Sequence, residues 1–194
     1  MRFRELIEQV ENKMPHLYLD MDGVQADFFS SWAKWHAKKF DDPSVLRYKD
    51  IGDAMSRESS IVELSKEGPE AVEEFFATLP ELPSYRKLLS WLKSNNIPFT
   101  VLSAPLRNEA QASIKGKRYW LDQHNPGTSD DAIFTSEKQR YAVTDGTPNV
   151  LVDDFKKYIK NWTDSGGIGV LHRDNDINAT LKALEEIYAP YMNK

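Results

Sequence analysis

Cysteine is absent from the 194 residues of this chain. That removes a disulfide framework, a thiolate metal site and a cysteine nucleophile together, and oxygen chemistry is what remains. No stretch approaches the roughly 20 consecutive apolar residues needed to span a bilayer. The amino terminus, from Met1 to Val10, scatters charge through an amphipathic pattern and has no continuous apolar core of the signal-peptide kind. Nothing in it directs export, so a cytoplasmic setting without membrane attachment is expected. Positive charge is not in excess either. A net charge of -5 gives no basic footprint for tight duplex binding, so no stable nucleic-acid complex is expected and small substrates are favoured. Internal repeats and low-complexity segments are also missing. What is there is ordinary for a globular protein: 40% hydrophobic and 28% charged residues, in a length that suits one compact domain or one domain carrying a sizeable insertion.

The chain is organised around residues 17–28. An apolar run of strand length beginning at Leu17 ends in two carboxylates one residue apart, Asp20 and Asp22, and Gly23 then lets the chain turn sharply. Alternation along a strand sends both acids the same way, toward the crevice beyond the carboxyl end of a buried strand. Two like charges so close repel unless something positive lies between them. A hard divalent cation, above all Mg2+, takes oxygen ligands and answers that need. The competing reading is a surface turn, because Asp and Gly are common turn residues.

Around this stretch the periodicities alternate. Residues 3–13 read as a short amphipathic helix closed by Pro15. Phe28, Phe29, Trp32 and Trp35 recur at helical spacing up to about Phe40, a stripe that serves as core packing or as a platform for a planar ligand. Further helices are expected over residues 51–55, 61–64 and 70–78, so that residues 24–82 form a helical insertion that covers the site. A helix over residues 84–95 leads to a second strand at 97–102 that ends at Ser103. The Ser103 hydroxyl can donate to a phosphate oxygen, but unaided it reads first as the N-cap of the next helix. Arg107 follows, and Lys115, Lys117 and Arg118 read as a solvated helix face. A short third strand at 132–134 precedes Lys138, which near several carboxylates would offset their charge and hold a phosphoryl group. A fourth strand at 149–152 delivers Asp153 and Asp154. A helix over 155–162, a turn at Gly166 and Gly167, a fifth strand at 168–171 and a closing helix over 178–188 complete the chain. Strands and helices in this alternation predict an α/β fold with a parallel sheet and helices on both faces.

The succession of Asp20-Met21-Asp22-Gly23-Val24, a hydroxyl at the end of a second strand, a lysine, and the pair Asp153-Asp154 resembles the four motifs of the haloacid-dehalogenase-like (HAD) hydrolases. With Ala26-Asp27-Phe28, with Phe75-Phe76 shortly before Leu79-Pro80-Glu81-Leu82-Pro83, and with Ser103-Ala104-Pro105, the chain resembles the 5'(3')-deoxyribonucleotidase family and its bacterial and phage relatives from Leu17 to about Trp162. The resemblance implies a HAD-like Rossmannoid core, residues 1–23 and 83–194, with a helical cap inserted after the first strand as residues 24–82. It also implies a Mg2+-dependent phosphomonoesterase working through an aspartyl-phosphate. Asp20 is then the nucleophile and Asp22 the general acid/base. Ser103, Ala104, Arg107 and Lys138 lie along the phosphate, and Phe28 lies against the base. The metal is held by Asp20, the Asp22 carbonyl, and Asp153 or Asp154. The substrate expected is a small phosphomonoester, in particular a deoxynucleoside monophosphate, and the reading leaves room for a homodimer. Ala104 departs from the family, which commonly has Thr-Ser-Pro where this chain has Ser-Ala-Pro, so one phosphate-binding hydroxyl is missing. Arg107 stands where the family often has Lys, and Ser136 where relatives carry Arg. Alternatives are the same chemistry on a phosphosugar, another small phosphometabolite or a nucleic-acid 3'-phosphate end, and an idle nucleotide-binding protein of the same fold.

Overall fold

The structure, a computed structural model, describes residues 13–47 and 61–192. The expected helices at 3–13 and 51–55 fall largely or wholly outside these residues. The central sheet has five parallel strands, in the order β3-β2-β1-β6-β7. They are β1 (Leu17–Leu19), β2 (Phe99–Ser103), β3 (Ile133–Phe134), β6 (Val150–Asp153) and β7 (Ile168–Leu171), with β4 and β5 reserved for a small hairpin. Strand β1 is central, pairing Leu17 with Phe99 on one side and with Val150 on the other.

Side chains alternate across this sheet, and the two faces feed two different cores. Leu17, Leu19, Val101, Val150 and Val152 join one large cluster, while Tyr18, Leu102 and Leu151 join a second with Trp162. A sheet buried on both faces reads as continuous apolar runs, which is what β1 and β6 show. Helix α6 (Lys156–Asp164) covers the smaller face through Tyr158, Ile159 and Trp162, and α4 (Pro83–Ser94) and α7 (Ile177–Met192) supply Leu88, Leu92, Leu184 and Tyr188 to the larger one.

Between β1 and α4 lie α1 (Phe28–Phe40), α2 (Ile61–Ser65) and α3 (Pro69–Ala77). Asp27 caps α1 by accepting from Ser30 N, and Pro69 opens α3 at a position where its missing N–H costs nothing. The long helix α5 (Ala110–His124) packs along α3. The crossing is close because Gly116 has no side chain: a Cβ there would meet the Glu73 carbonyl oxygen at 2.3 Å. Phe28, Trp32, Val72 and Phe76 of these helices share one buried cluster with the sheet residues.

The hairpin of β4 (Val143–Thr144) and β5 (Thr147–Pro148) was not anticipated from the sequence. Its turn residues Asp145 and Gly146 both have positive φ, 50° and 77°, as a two-residue turn matching strand twist requires.

Candidate active site

Asp20 lies one residue past β1, and its backbone N–H still donates to Val152 O at 2.9 Å, so the chain stays tied to β6 as it leaves the sheet. The next residues wind tightly: Gln25 N and Ala26 N both donate to Met21 O, and Gly23 takes φ +75°. That glycine is needed twice over, because a Cβ there would stand 2.5 Å from Asp154 Oδ2 and 2.7 Å from a ring carbon of Phe29. Gln25 Nε2 donates back to Asp20 O at 3.0 Å and closes the turn. On the neighbouring strand, Asp153 ends β6. Its Oδ1 accepts from Phe155 N at 2.8 Å, its carbonyl accepts from His172 N at 2.9 Å, and Arg173 Nη1 donates to the Asp154 carbonyl at 2.9 Å.

These two strand ends bring Asp20, Asp153 and Asp154 together, with one carboxylate oxygen from each inside a span of 4.8 Å. Lys138, from the turn after β3, reaches between them. Its ammonium is 2.6 Å from Asp153 Oδ2 and 2.9 Å from Asp20 Oδ1, and its side chain is 1% exposed. The Asp20 contact is an ion pair whose angle leaves Oδ1 buried without a hydrogen bond. Burial alone would lower the Lys138 pKa, but Asp20 and Asp153 outweigh it and raise it, so this lysine stays charged. Burial, aided by the Asp20 charge, pushes Asp153 up to about 6, and the same causes raise Asp154 well above the usual carboxylate range. Tyr158 presents its ring to Lys138 Nζ at 4.6 Å from the centroid.

A second lysine completes the site, and here the sequence reading needs correcting. Lys117 does not lie on a solvated helix face. It is fully buried, and its ammonium donates to Asp22 Oδ2 at 2.7 Å, to Ser103 Oγ at 3.0 Å and to the Ala104 carbonyl at 2.7 Å. The buried residues of α5, namely Ala112, Ser113, Gly116, Lys117, Trp120 and Leu121, form a stripe at helical spacing that includes position 117. That periodicity was the available signal. Its neighbours Lys115 and Arg118 do face outward or sideways, Lys115 pairing with Glu73. Ser103 is likewise not the N-cap of α5. Helix α5 starts at Ala110 after Glu109, with no side-chain cap, and Ser103 is fully buried as the last residue of β2.

The Asp22 carboxylate is thereby separated from the trio around Lys138. Burial raises its pKa against the pull of Lys117, and its Oδ1 is buried without a partner. The Ala104 side chain has no polar atom, and its contribution to the lysine pocket is its carbonyl. Arg107 is exposed on the loop before α5 and has no ion-pair partner among the described residues. Phe28 is 4% exposed, stacked on Phe76 at 5.8 Å and meeting Phe29 and Phe75 edge-on. Lys117 lies over the Phe76 ring at 4.9 Å, so this aromatic cluster adjoins the lysine pocket, and its half-buried members Phe29 and Phe75 offer the open surface.

Four carboxylates thus face two ammonium groups. Fully ionised, they leave an excess of two negative charges, which a divalent cation with oxygen preference would cancel. No helix among the described residues is long and apolar enough to cross a membrane.

The family model described as "5' nucleotidase, deoxy (Pyrimidine), cytosolic type C protein" matches residues 13–185. No curated protein matches the chain. The match takes in every strand of the sheet and each residue of the acid and lysine cluster, and the protein belongs to this family of HAD-like nucleotidases, which are phosphoric monoester hydrolases.

Proposed function

We propose that this protein hydrolyses deoxynucleoside monophosphates with Mg2+ held by Asp20, the Asp22 carbonyl, and Asp153 or Asp154. The observation that carries the proposal is the convergence of the strand-end carboxylates Asp20, Asp153 and Asp154, with one oxygen of each inside a span of 4.8 Å. A hard cation fits this donor set, since every available side-chain ligand is a carboxylate and the charge excess is of the right size. When bound, Mg2+ supplies charge neutralisation for the phosphoryl oxygens.

The chain's own residues account for the rest. A carboxylate oxygen of Asp20 attacks phosphorus and forms a P–O bond as the bond to the leaving nucleoside oxygen breaks, which splits one difficult hydrolysis into two easier steps. Asp22 gives that departing oxygen a proton, a role favoured by the burial that raises its pKa above the usual carboxylate value. In the second step Asp22 takes a proton from water, whose oxygen attacks the aspartyl-phosphate and frees phosphate and the Asp20 carboxylate. Lys117, paired with Asp22, and Lys138, paired with Asp153, offset the charge spreading over the phosphoryl oxygens. Ser103 donates alongside them, and Arg107 meets the substrate from the exposed loop. The aromatic cluster around Phe28 receives the base. Residues 1–23 and 83–194 act as the core and 24–82 as the cap that covers it.

A panel of phosphomonoesters assayed with Mg2+ tests this reading. Preference for dUMP or dTMP over sugar phosphates supports it. Equal rates on all substrates would remove the base from recognition and leave a general small-molecule phosphatase. A homodimer and a cytoplasmic setting accord with this role, and sedimentation and localisation measurements test them.

A further inference from the structure

Resting on the reading of the site just given, we infer that Tyr158 is a positioning residue that holds the Lys138 ammonium in place while Asp20 and Asp153 are engaged by the metal. The Lys138 ammonium meets Asp20, Asp153 and the ring of Tyr158. The first two are the very carboxylates that a cation would claim. The aromatic face is the one partner that neither metal nor phosphate competes for.

The placement is built by local structure. Tyr158 stands four residues after Asp154, in the first turn of α6, where its N–H donates to the Phe155 carbonyl at 2.9 Å. Helix α6 packs on the turn Lys138–Tyr141, so the ring and the lysine come from two elements already pressed together. Phe155 meets the Tyr158 ring edge-on at 5.5 Å and steadies it from the solvent side. A cation over an aromatic face gains most where water is excluded, and the Lys138 side chain is 1% exposed. The ring does the holding, so the hydroxyl is dispensable.

Three measurements test the inference. In NMR spectra of the wild-type protein, the ε-methylene protons of Lys138 show an upfield ring-current shift that persists when Mg2+ is added to saturation. Its disappearance on Mg2+ addition overturns the inference alone. Absence of any Mg2+-induced change at Asp20 and Asp153 overturns the reading of the site and the inference with it. Second, Tyr158→Leu weakens binding of inorganic phosphate and lowers kcat/KM by about tenfold, while Tyr158→Phe, which keeps the ring, stays within about twofold of wild type. Equal behaviour of the two variants overturns the inference. Third, in a Lys138→Met background Tyr158→Leu adds no further loss. An undiminished tenfold effect in that background would make Tyr158 a packing residue and overturn the inference.

Discussion

Replacing Lys117 with Met would remove the ammonium while keeping most of the volume of a fully buried side chain. Three acceptors lose their donor at once: the Asp22 carboxylate, the Ser103 hydroxyl and the Ala104 carbonyl. Stripping one partner from a buried ion pair costs roughly 3–5 kcal/mol when the remaining charge cannot escape. Asp22 can escape in part, because burial already raises its pKa and its side chain is 22% exposed. Protonation then caps the penalty, and a net loss of about 2–3 kcal/mol is expected. For a chain of this length that lowers Tm by about 4–12 °C. Activity falls further, by about a hundredfold to a thousandfold, the range for deleting one preorganised positive group at a phosphoryl site. With Asp22 now holding its proton more tightly, the remaining activity moves to higher pH. Calorimetry and a pH profile of kcat/KM measure all three effects. Unchanged Tm and unchanged activity would return Lys117 to the solvated face that its basic neighbours suggest, and would refute the network drawn around it.

Two further perturbations probe the frame that carries the site. His172, just past β7, is buried with its ring 3.0 Å from the Thr180 hydroxyl, and burial lowers its pKa from 6.5 to about 4. The unfolded chain takes up this proton more readily than the native one, so the stability it represents is complete above pH 6.5 and lost as pH falls toward 4, by roughly 1–3 kcal/mol. The buried site carboxylates, whose pKa values are raised, act with the opposite sign, so the measurement is the difference in acid sensitivity between wild type and His172→Asn. An identical pH dependence of Tm in the two proteins would contradict it. Gly116→Ala places a methyl 2.3 Å from the Glu73 carbonyl and forces α3 and α5 apart, at a cost of about 1–3 kcal/mol read as a lower Tm. Gln111→Ala, exposed on the same helix, changes stability by less than about 0.5 kcal/mol. If the two substitutions behave alike, the close crossing is not what holds α3 against α5.

The strand ends were legible because burial on both faces makes β1 and β6 continuous apolar runs, and a carboxylate at the end of such a run stands out. Asp20, Asp153 and Asp154 declared themselves in that way, and Lys138 followed from the same order of motifs. Lys117 was hidden by composition. A helix with Lys115, Lys117 and Arg118 together looks solvated, and only the stripe from Ala112 to Leu121 shows that one of the three turns inward. Ser103 was ambiguous because a hydroxyl after a strand suits a cap as well as a site, and only the start of α5 at Ala110, well beyond Ser103, separates the two. The β4–β5 hairpin escaped notice because its strands are two residues long, too short for any alternation to show, although Asp145-Gly146 is a turn signal.

The most direct test follows the phosphoryl group. A radiolabelled substrate is mixed with protein and Mg2+, quenched in acid within one turnover, and the labelled peptide is mapped. Label on the peptide that contains Asp20, and none in Asp20→Asn, is the predicted result. Turnover without labelled protein, or label carried by another residue, would contradict the account.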